Sequence, residues 1–256
     1  MNVVALVKYI PNPTGTPTMG DDFRLKREGV EGGLDPGDEH VVEAALQLAE
    51  ASGGEVTYVT MGPEPAAAAV RKALSMGGHR GVHVKDDSLK GADTLVTARV
   101  LAAAIKRLEG FDMIIGGVES TDGYTGTMPA AVAELLGIPS LTFARKVEAK
   151  DGTVRVERQT ATGYHVVEAP LPALVTVTAG ANDPRYPTLK GIMQSKQKPV
   201  DTLSLSDLGV AGDQATATQE VMGIEPVPER EAGEVVEDAS EAPAKVVDFL
   251  KKAKVI

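Results

Sequence analysis

Along the first 140 residues, short apolar runs alternate with longer stretches in which apolar positions recur every three or four residues. The run NVVALVKY at 2–9 predicts a buried strand. Residues 38–51 (DEHVVEAALQLAEA) carry apolar side chains at 41, 42, 45, 46 and 48, a helical spacing. Asp35 and Asp38 are suited to capping that helix, and Gly53 and Gly54 end it. EVTYVTM (55–61) predicts a second strand, 64–76 a helix stopped by Gly77 and Gly78, and GVHV (81–84) a third strand. A helix over 92–108, the strand FDMII at 111–115 and a helix over 124–136, stopped by Gly137 and Pro139, complete the series. Strands that alternate with helices of this length predict an α/β fold, a doubly wound and mostly parallel sheet with crossover connections.

Beyond residue 140 the period shortens to two. LTFARKVEAKDGTVRVERQTATGYHVVEA alternates polar and apolar residues, with turn signals at Asp151, Gly152, Thr162 and Gly163, and predicts a small antiparallel meander over 141–168. ALVTVT (173–178) reads as one more buried strand. From Asn182 the pattern loosens. Residues 211–240 are acidic and poor in large apolar side chains, too poor to order themselves alone, before 242–256 (APAKVVDFLKKAKVI) returns to helical spacing. The expected organisation is an α/β domain over 1–182 that includes the meander, a distinct segment over 183–210, and an extended C-terminal arm over 211–256 that docks on something else.

Composition removes several classes of function. Aromatic residues make up 4% of the chain and Trp is absent, so Val, Leu, Ile and Ala must build the core. A net charge of −10 opposes non-specific nucleic-acid binding, which needs a basic face. With no Cys, there is no disulfide, thiolate metal site or Cys nucleophile. The N-terminal stretch MNVVALVKYI lacks the pattern of a signal peptide, and no apolar run approaches the roughly 20 residues of a bilayer span. The expected location is cytoplasmic, without membrane insertion.

The stretch with the most chemical promise is GGVESTDGYTGTMP at 116–129, between a predicted strand and a predicted helix. In a doubly wound sheet, ligands bind beyond the carboxyl ends of the strands where the order reverses. The loops at 9–13, at 61–63, after GVHV and at 116–126 are expected there. Backbone N–H groups at a helix start make an anion seat, glycine permits close approach, and Ser120, Thr121, Thr125 and Thr127 add hydroxyls. Known phosphate motifs fit poorly. No Lys follows Gly123 or Gly126 as a P-loop requires, and the first strand–helix turn, PNPTGTPTMG, is no dinucleotide fingerprint. The stretch is either a nucleotide seat or a well-capped loop. Glu119 and Asp122 either bind Mg²⁺ or cap backbone donors. The four His (40, 79, 83 and 165) show no metal-ligand spacing, His83 reads as a core or partner-facing side chain rather than a ligand, and no G-x-S-x-G elbow is present. Neither a metal site nor a catalytic residue is expected. The basic cluster KQKP near Lys190 is either a solvated face or a docking patch.

Several unusual strings occur together and in order: VALVKYIPNP, LDPGDEHVVEAALQL, RKALSMG, ESTDGYTG and DPRYPTLKGIM. Over about residues 1–210 the chain resembles the β subunit of electron transfer flavoprotein, in its bacterial form. The resemblance implies a heterodimer with an electron transfer flavoprotein α subunit and one redox FAD, shared between the chains and mostly held by the α subunit. It implies an adenine-nucleotide-binding domain with AMP as a structural nucleotide. Carried over by position, the AMP pocket involves Leu6, Asp35, Pro36, Gly37, Asp38 and Met61. The phosphate is expected against Asp122, Gly123, Tyr124, Thr125, Gly126 and Thr127.

TLKGIMQSK (188–196) resembles the loop that anchors such a carrier to dehydrogenases through an inserted leucine, here Leu189. Ile192 and Met193 would support it, and Lys196 and Lys198 would supply charge; the plainer reading is an apolar helical turn packed on its own domain. The arm would wrap the α subunit. The implied function is an electron carrier, not an enzyme, that takes electrons from acyl-CoA-type dehydrogenases, as in fatty acid β-oxidation, and passes them to a quinone oxidoreductase. Some relatives place a Tyr near the flavin in the loop after the first strand. This loop reads PNPTGTP, so no flavin contact is assigned. Electron-bifurcating relatives carry a second FAD instead of AMP and a D-G-D-T-A-Q loop; ESTDGYTG differs and favours AMP. A stand-alone AMP/ATP-binding regulatory protein is the alternative from another class.

Overall fold

The computed structural model describes residues 1–256 except 13, 226, 229–232 and 234. The chain opens with strand β1 (Val3–Leu6), then a short ribbon of β2 (Tyr9–Pro11) and β3 (Gly32–Leu34), and helix α1 (Pro36–Ser52). It continues through β4 (Val56–Met61), α2 (Ala67–Met76), β5 (Arg80–Val84), α3 (Thr94–Lys106), β6 (Met113–Gly117) and α4 (Met128–Leu136). The second half holds β7 (Ser140–Lys150), β8 (Thr153–Thr160), β9 (Gly163–Pro170), β10 (Ala173–Val177), α5 (Leu189–Ser195), β11 (Val200–Leu203), α6 (Leu205–Leu208) and α7 (Ala242–Lys252).

One nine-stranded sheet runs in the order β11-β5-β4-β1-β6-β10-β7-β8-β9. Every pairing from β11 to β7 is parallel, and β7-β8-β9 is the antiparallel meander. The central strands are buried on both faces, which is why they read as unbroken apolar runs. Their period of two divides the core. Val3, Ala5 and Val7 join a cluster with Val41, Val42 and Leu74, from α1 and α2, while Val4 and Leu6 join one with Val96, Leu101 and Val132, from α3 and α4. Connections from β1 lead toward β4 and β5, whereas those from β6 lead toward β10. The order therefore reverses between β1 and β6.

Local chemistry sets the helix ends. Asp35 Oδ1 accepts from the Gly37 N–H at 3.0 Å and Pro36 opens the first turn of α1, while Gly53 closes it at φ 69°. Asp93 Oδ1 accepts from the Val96 N–H at 2.8 Å and caps α3. Helix α4 begins at Met128, four residues later than its periodicity predicts. Tyr124 and Gly126 sit at φ 48° and 64°, left-handed values that no helix interior accepts, so residues 124–127 are loop.

The ribbon of β2 and β3 is a further difference from the reading of 2–9 as one strand. A side chain at Gly32 would meet the Ile10 carbonyl oxygen, so the two strands approach only because position 32 is glycine. Residues 1–221 form one compact unit, within which the 183–210 segment lies on α2 and adds β11 to the sheet edge. Residues 222–256 form a second unit, carrying α7, none of whose residues is buried. No helix among the described residues is long and apolar enough to cross a membrane.

Candidate functional site: a crevice at the strand reversal and an exposed apolar face

A crevice of about 250 Å³ opens at the carboxyl ends of β1 and β6, where the strand order reverses. Leu6, Val59, Met61, Leu101 and Pro129 give it apolar walls, and Lys8, Asp38, Asp93, Glu119, Ser120 and Thr125 supply polar groups. Gly116 and Gly117 lie in its lining. A Cβ on Gly117 would come 3.1 Å from Asp38 Oδ1, tighter than side chains normally pack, whereas one on Gly116 would stand at an ordinary 3.7 Å from Leu6 and Pro129. An apolar slot with glycine in its lining and hydroxyls and an ammonium at one rim can take a ligand with an apolar body and an anionic end.

Of the twelve residues expected at a nucleotide pocket, Leu6, Asp38, Met61, Gly123, Thr125 and Gly126 line the crevice. The other six lie behind or beside it. Asp35 is buried, and its Oδ2 accepts from the Thr121 N–H at 2.8 Å and from the Thr121 hydroxyl, tying α1 to the 116–127 loop. Pro36 and Gly37 form the first turn of α1. Asp122 bridges two cations, Lys8 Nζ at 2.7 Å and Arg27 Nη1 at 2.6 Å. Tyr124 is two-thirds exposed, and Thr127 precedes α4 without a side-chain cap.

The carboxylates of this region behave oppositely. Burial, with the charge of Asp35 next, pushes the Asp38 carboxyl well above its ordinary value, although its Oδ2 accepts from the Lys8 N–H at 2.7 Å. Burial alone would also raise Asp122. The adjacent Lys8 ammonium and Arg27 guanidinium, by charge and hydrogen bond, hold it below its ordinary value instead. Ser120, expected to add a hydroxyl, lines the crevice, and so do Lys8, Asp93 and Thr97, which their sequence context does not mark. A lysine at a strand end reads as a solvated side chain. Asp93 and Thr97 sit in an ordinary helix start. His83 is buried in β5 with Nε2 2.9 Å from the Gly62 carbonyl, and so fixes the loop after β4 rather than a ligand. No group of three metal-ligating side chains occurs among the described residues. Of the expected edge loops, 9–11 pairs with 32–34 instead of lining the crevice, and residue 13 lies outside the described residues.

The segment before and through α5 is held from behind. Arg185 forms ion pairs with Glu43 at 2.7 Å and Glu50 at 2.6 Å, both on α1. Arg71 Nη1 donates to the Ser195 and Lys198 carbonyls at 2.6 and 2.7 Å. Lys198 Nζ points inward to the Leu74 carbonyl at the C-terminal end of α2, at 2.9 Å. Thr188 caps α5 through the Gly191 N–H at 3.0 Å. Contact with α2 is close enough that a Cβ on Gly191 would meet the Ser75 carbonyl oxygen at 2.4 Å. Outward, Tyr186, Leu189 (76% exposed), Ile192, Met193 and Lys196 face solvent. A short helix is thus pinned so as to present large apolar side chains to water.

Comparison with known proteins gives a consistent result. The family described as electron transfer flavoprotein domain matches residues 22–208. The "Electron transfer flavoprotein subunit beta" of Mycobacterium tuberculosis (strain ATCC 25618 / H37Rv) is 43% identical over 264 aligned positions, covering 100% of this chain and 99% of that protein. The protein of the same description from Bacillus subtilis (strain 168) is 37% identical over 238, covering 91% of each chain. The "Caffeyl-CoA reductase-Etf complex subunit CarD" of Acetobacterium woodii is 31% identical over 263, covering 100% of each. With identity of this order along its full length and the family match across its α/β unit, the chain belongs to the electron transfer flavoprotein β-subunit family.

Proposed function

We propose that this chain is the β subunit of a heterodimeric electron carrier whose FAD is shared with, and mostly held by, the α subunit. FAD supplies the reversible acceptance and release of electrons. This chain contributes a wall of the flavin site, a seat for structural AMP and a face for docking. Electrons enter from acyl-CoA-type dehydrogenases, as in fatty acid β-oxidation, and leave to a quinone oxidoreductase.

The observation that carries the nucleotide part is the crevice itself: an apolar slot at the reversal of strand order, with Gly116 and Gly117 in its lining and Ser120, Thr125 and Lys8 at its rim. Its volume suits one adenosine monophosphate unit. The docking part is supported by the exposed Leu189, Ile192 and Met193 on a helix pinned to α2, with Lys196 beside them. A carrier must release its partners quickly, and a small apolar anchor with few charges suits such brief contacts. The arm is supported by α7, whose Val246, Val247 and Phe249 are exposed, an apolar set that a partner subunit would cover.

The experiment is nucleotide analysis. The chain is co-expressed with its α subunit, the complex denatured, and FAD and AMP quantified by chromatography. About one FAD and one AMP per heterodimer is the expected result. Two FAD and no AMP would make the crevice a second flavin site of a bifurcating protein. A nucleotide-binding chain that is stable alone and carries no flavin with the α subunit would make it a regulatory protein.

A further inference from the structure

We propose that Lys8 is the cation that holds the nucleotide's 5′-phosphate, and that Asp122 positions Lys8 without touching the ligand. This rests on the reading of the crevice as a seat for AMP. The charge balance of the crevice raises the question. Among the described residues that line it, Lys8 is the one cation, beside the carboxyl groups of Asp38, Asp93 and Glu119. A nucleotide monophosphate brings about 1.5 to 2 further negative charges near neutral pH. The start of α4 is a weak anion seat by itself. Pro129 in its first turn has no N–H to offer, and Thr127 contributes no side-chain cap.

Lys8 is placed for the task from both directions along its backbone. Its N–H donates to Asp38 Oδ2 at 2.7 Å, and its carbonyl accepts from the Asp35 N–H at 3.0 Å, so the residue leaves β1 in a fixed orientation. Its ammonium lies 2.7 Å from Asp122 Oδ1 and 3.1 Å from Ser120 Oγ. An ammonium has three donors, and these two acceptors leave the third for a ligand. Gly123 leaves the Ser120 hydroxyl room, since a Cβ there would come 3.1 Å from Ser120 Oγ.

Asp122 is placed differently. Its side chain is 5% exposed, against 42% for Lys8, so the carboxylate lies behind the ammonium. Its second oxygen is 2.6 Å from Arg27 Nη1. Two cations around one carboxylate leave a net positive charge, and the part of it that reaches the crevice is Lys8. A phosphate approaching the 120–126 loop meets the ammonium and the Ser120 and Thr125 hydroxyls before it meets Asp122.

The test uses the heterodimer stripped of nucleotide, with AMP and adenosine as probes in titration calorimetry. Lys8→Met is expected to weaken AMP roughly tenfold or more and to leave adenosine unchanged, with Lys8→Arg restoring most of the loss. Raised salt should shrink the preference for AMP over adenosine in the parent complex and not in Lys8→Met. Asp122→Asn is expected to alter AMP affinity in the parent background and to have no effect once Lys8 is Met, as a residue acting through another must. AMP bound equally by the parent and Lys8→Met, in a complex that prefers AMP to adenosine, would overturn the assignment and leave the AMP seat standing. Equal loss of adenosine and AMP in Lys8→Met would make Lys8 a structural residue and also overturn it. A parent complex that binds neither probe would instead remove the AMP reading on which the assignment rests.

Discussion

The crevice and the exposed face of α5 both draw anchoring side chains from α1, and they are built on opposite plans. At the crevice the charged groups face inward on one another: Asp35 on Thr121, Asp38 on the Lys8 backbone, and Asp122 on Lys8 and Arg27. At the docking face the charges lie behind, in Arg185 with Glu43 and Glu50 and in Arg71 and Lys198 on helix-end carbonyls, and the apolar side chains lie in front. The first arrangement braces the walls of a cavity and suits an occupant that stays bound. The second braces the backbone behind an exposed apolar surface and suits brief contact. Buried polar groups serve precision in both; what differs is the side turned to the partner.

Changes confined to one region put that contrast at risk. The largest effect is expected from Gly191→Ala. Alanine is ordinarily favoured over glycine in a helix by about 1 kcal/mol, yet here its Cβ would press on the Ser75 carbonyl oxygen. Thermal unfolding of the heterodimer should show a net loss of about 1–3 kcal/mol, with slower reduction by the dehydrogenase and unchanged AMP content. A stabilised variant would mean that α5 is not held against α2. Next is Leu189→Ala, which should weaken dehydrogenase docking by about 2 kcal/mol, roughly thirtyfold, with melting temperature and FAD content intact. Unchanged electron-transfer kinetics would remove the leucine anchor.

The smallest effect belongs to Asp38→Asn. The Asp38 carboxyl is raised above its ordinary value in the folded state, so its contribution is fully present in acid and is lost as pH rises through that raised value. Asparagine still accepts from the Lys8 N–H and does not ionise. The variant should therefore gain on the parent as pH rises above the ordinary carboxylate range, in unfolding measured from pH 5 to pH 8. A constant difference would mean that Asp38 does not titrate there.

The parallel half of the sheet was legible because strands buried on both faces leave apolar runs, and because glycine marks helix ends such as Gly53 and Gly137. The meander was legible from its period of two. What escaped was decided by groups far apart in sequence. Nothing near Lys8 marks it as a partner of Asp122, since that pairing exists only after β1 and β6 lie side by side. The ribbon of β2 and β3 depends on one glycine against one carbonyl, and β11 is a four-residue edge strand with little apolar content. The late start of α4 had a signal in Pro129, which belongs in a first turn, but helical periodicity extended the prediction past it.

Helix α1 carries Asp35 and Asp38 at its start and, one turn and more further on, Glu43 and Glu50 for Arg185. It is therefore a common footing, and a shift of this helix moves the anchors of both regions together. A substitution on its buried face, at Val41 or Leu46 for example, disturbs both at once. One region can then change without the other most easily where α1 is not involved, at the outward side chains of α5, and least easily in the helix that anchors both.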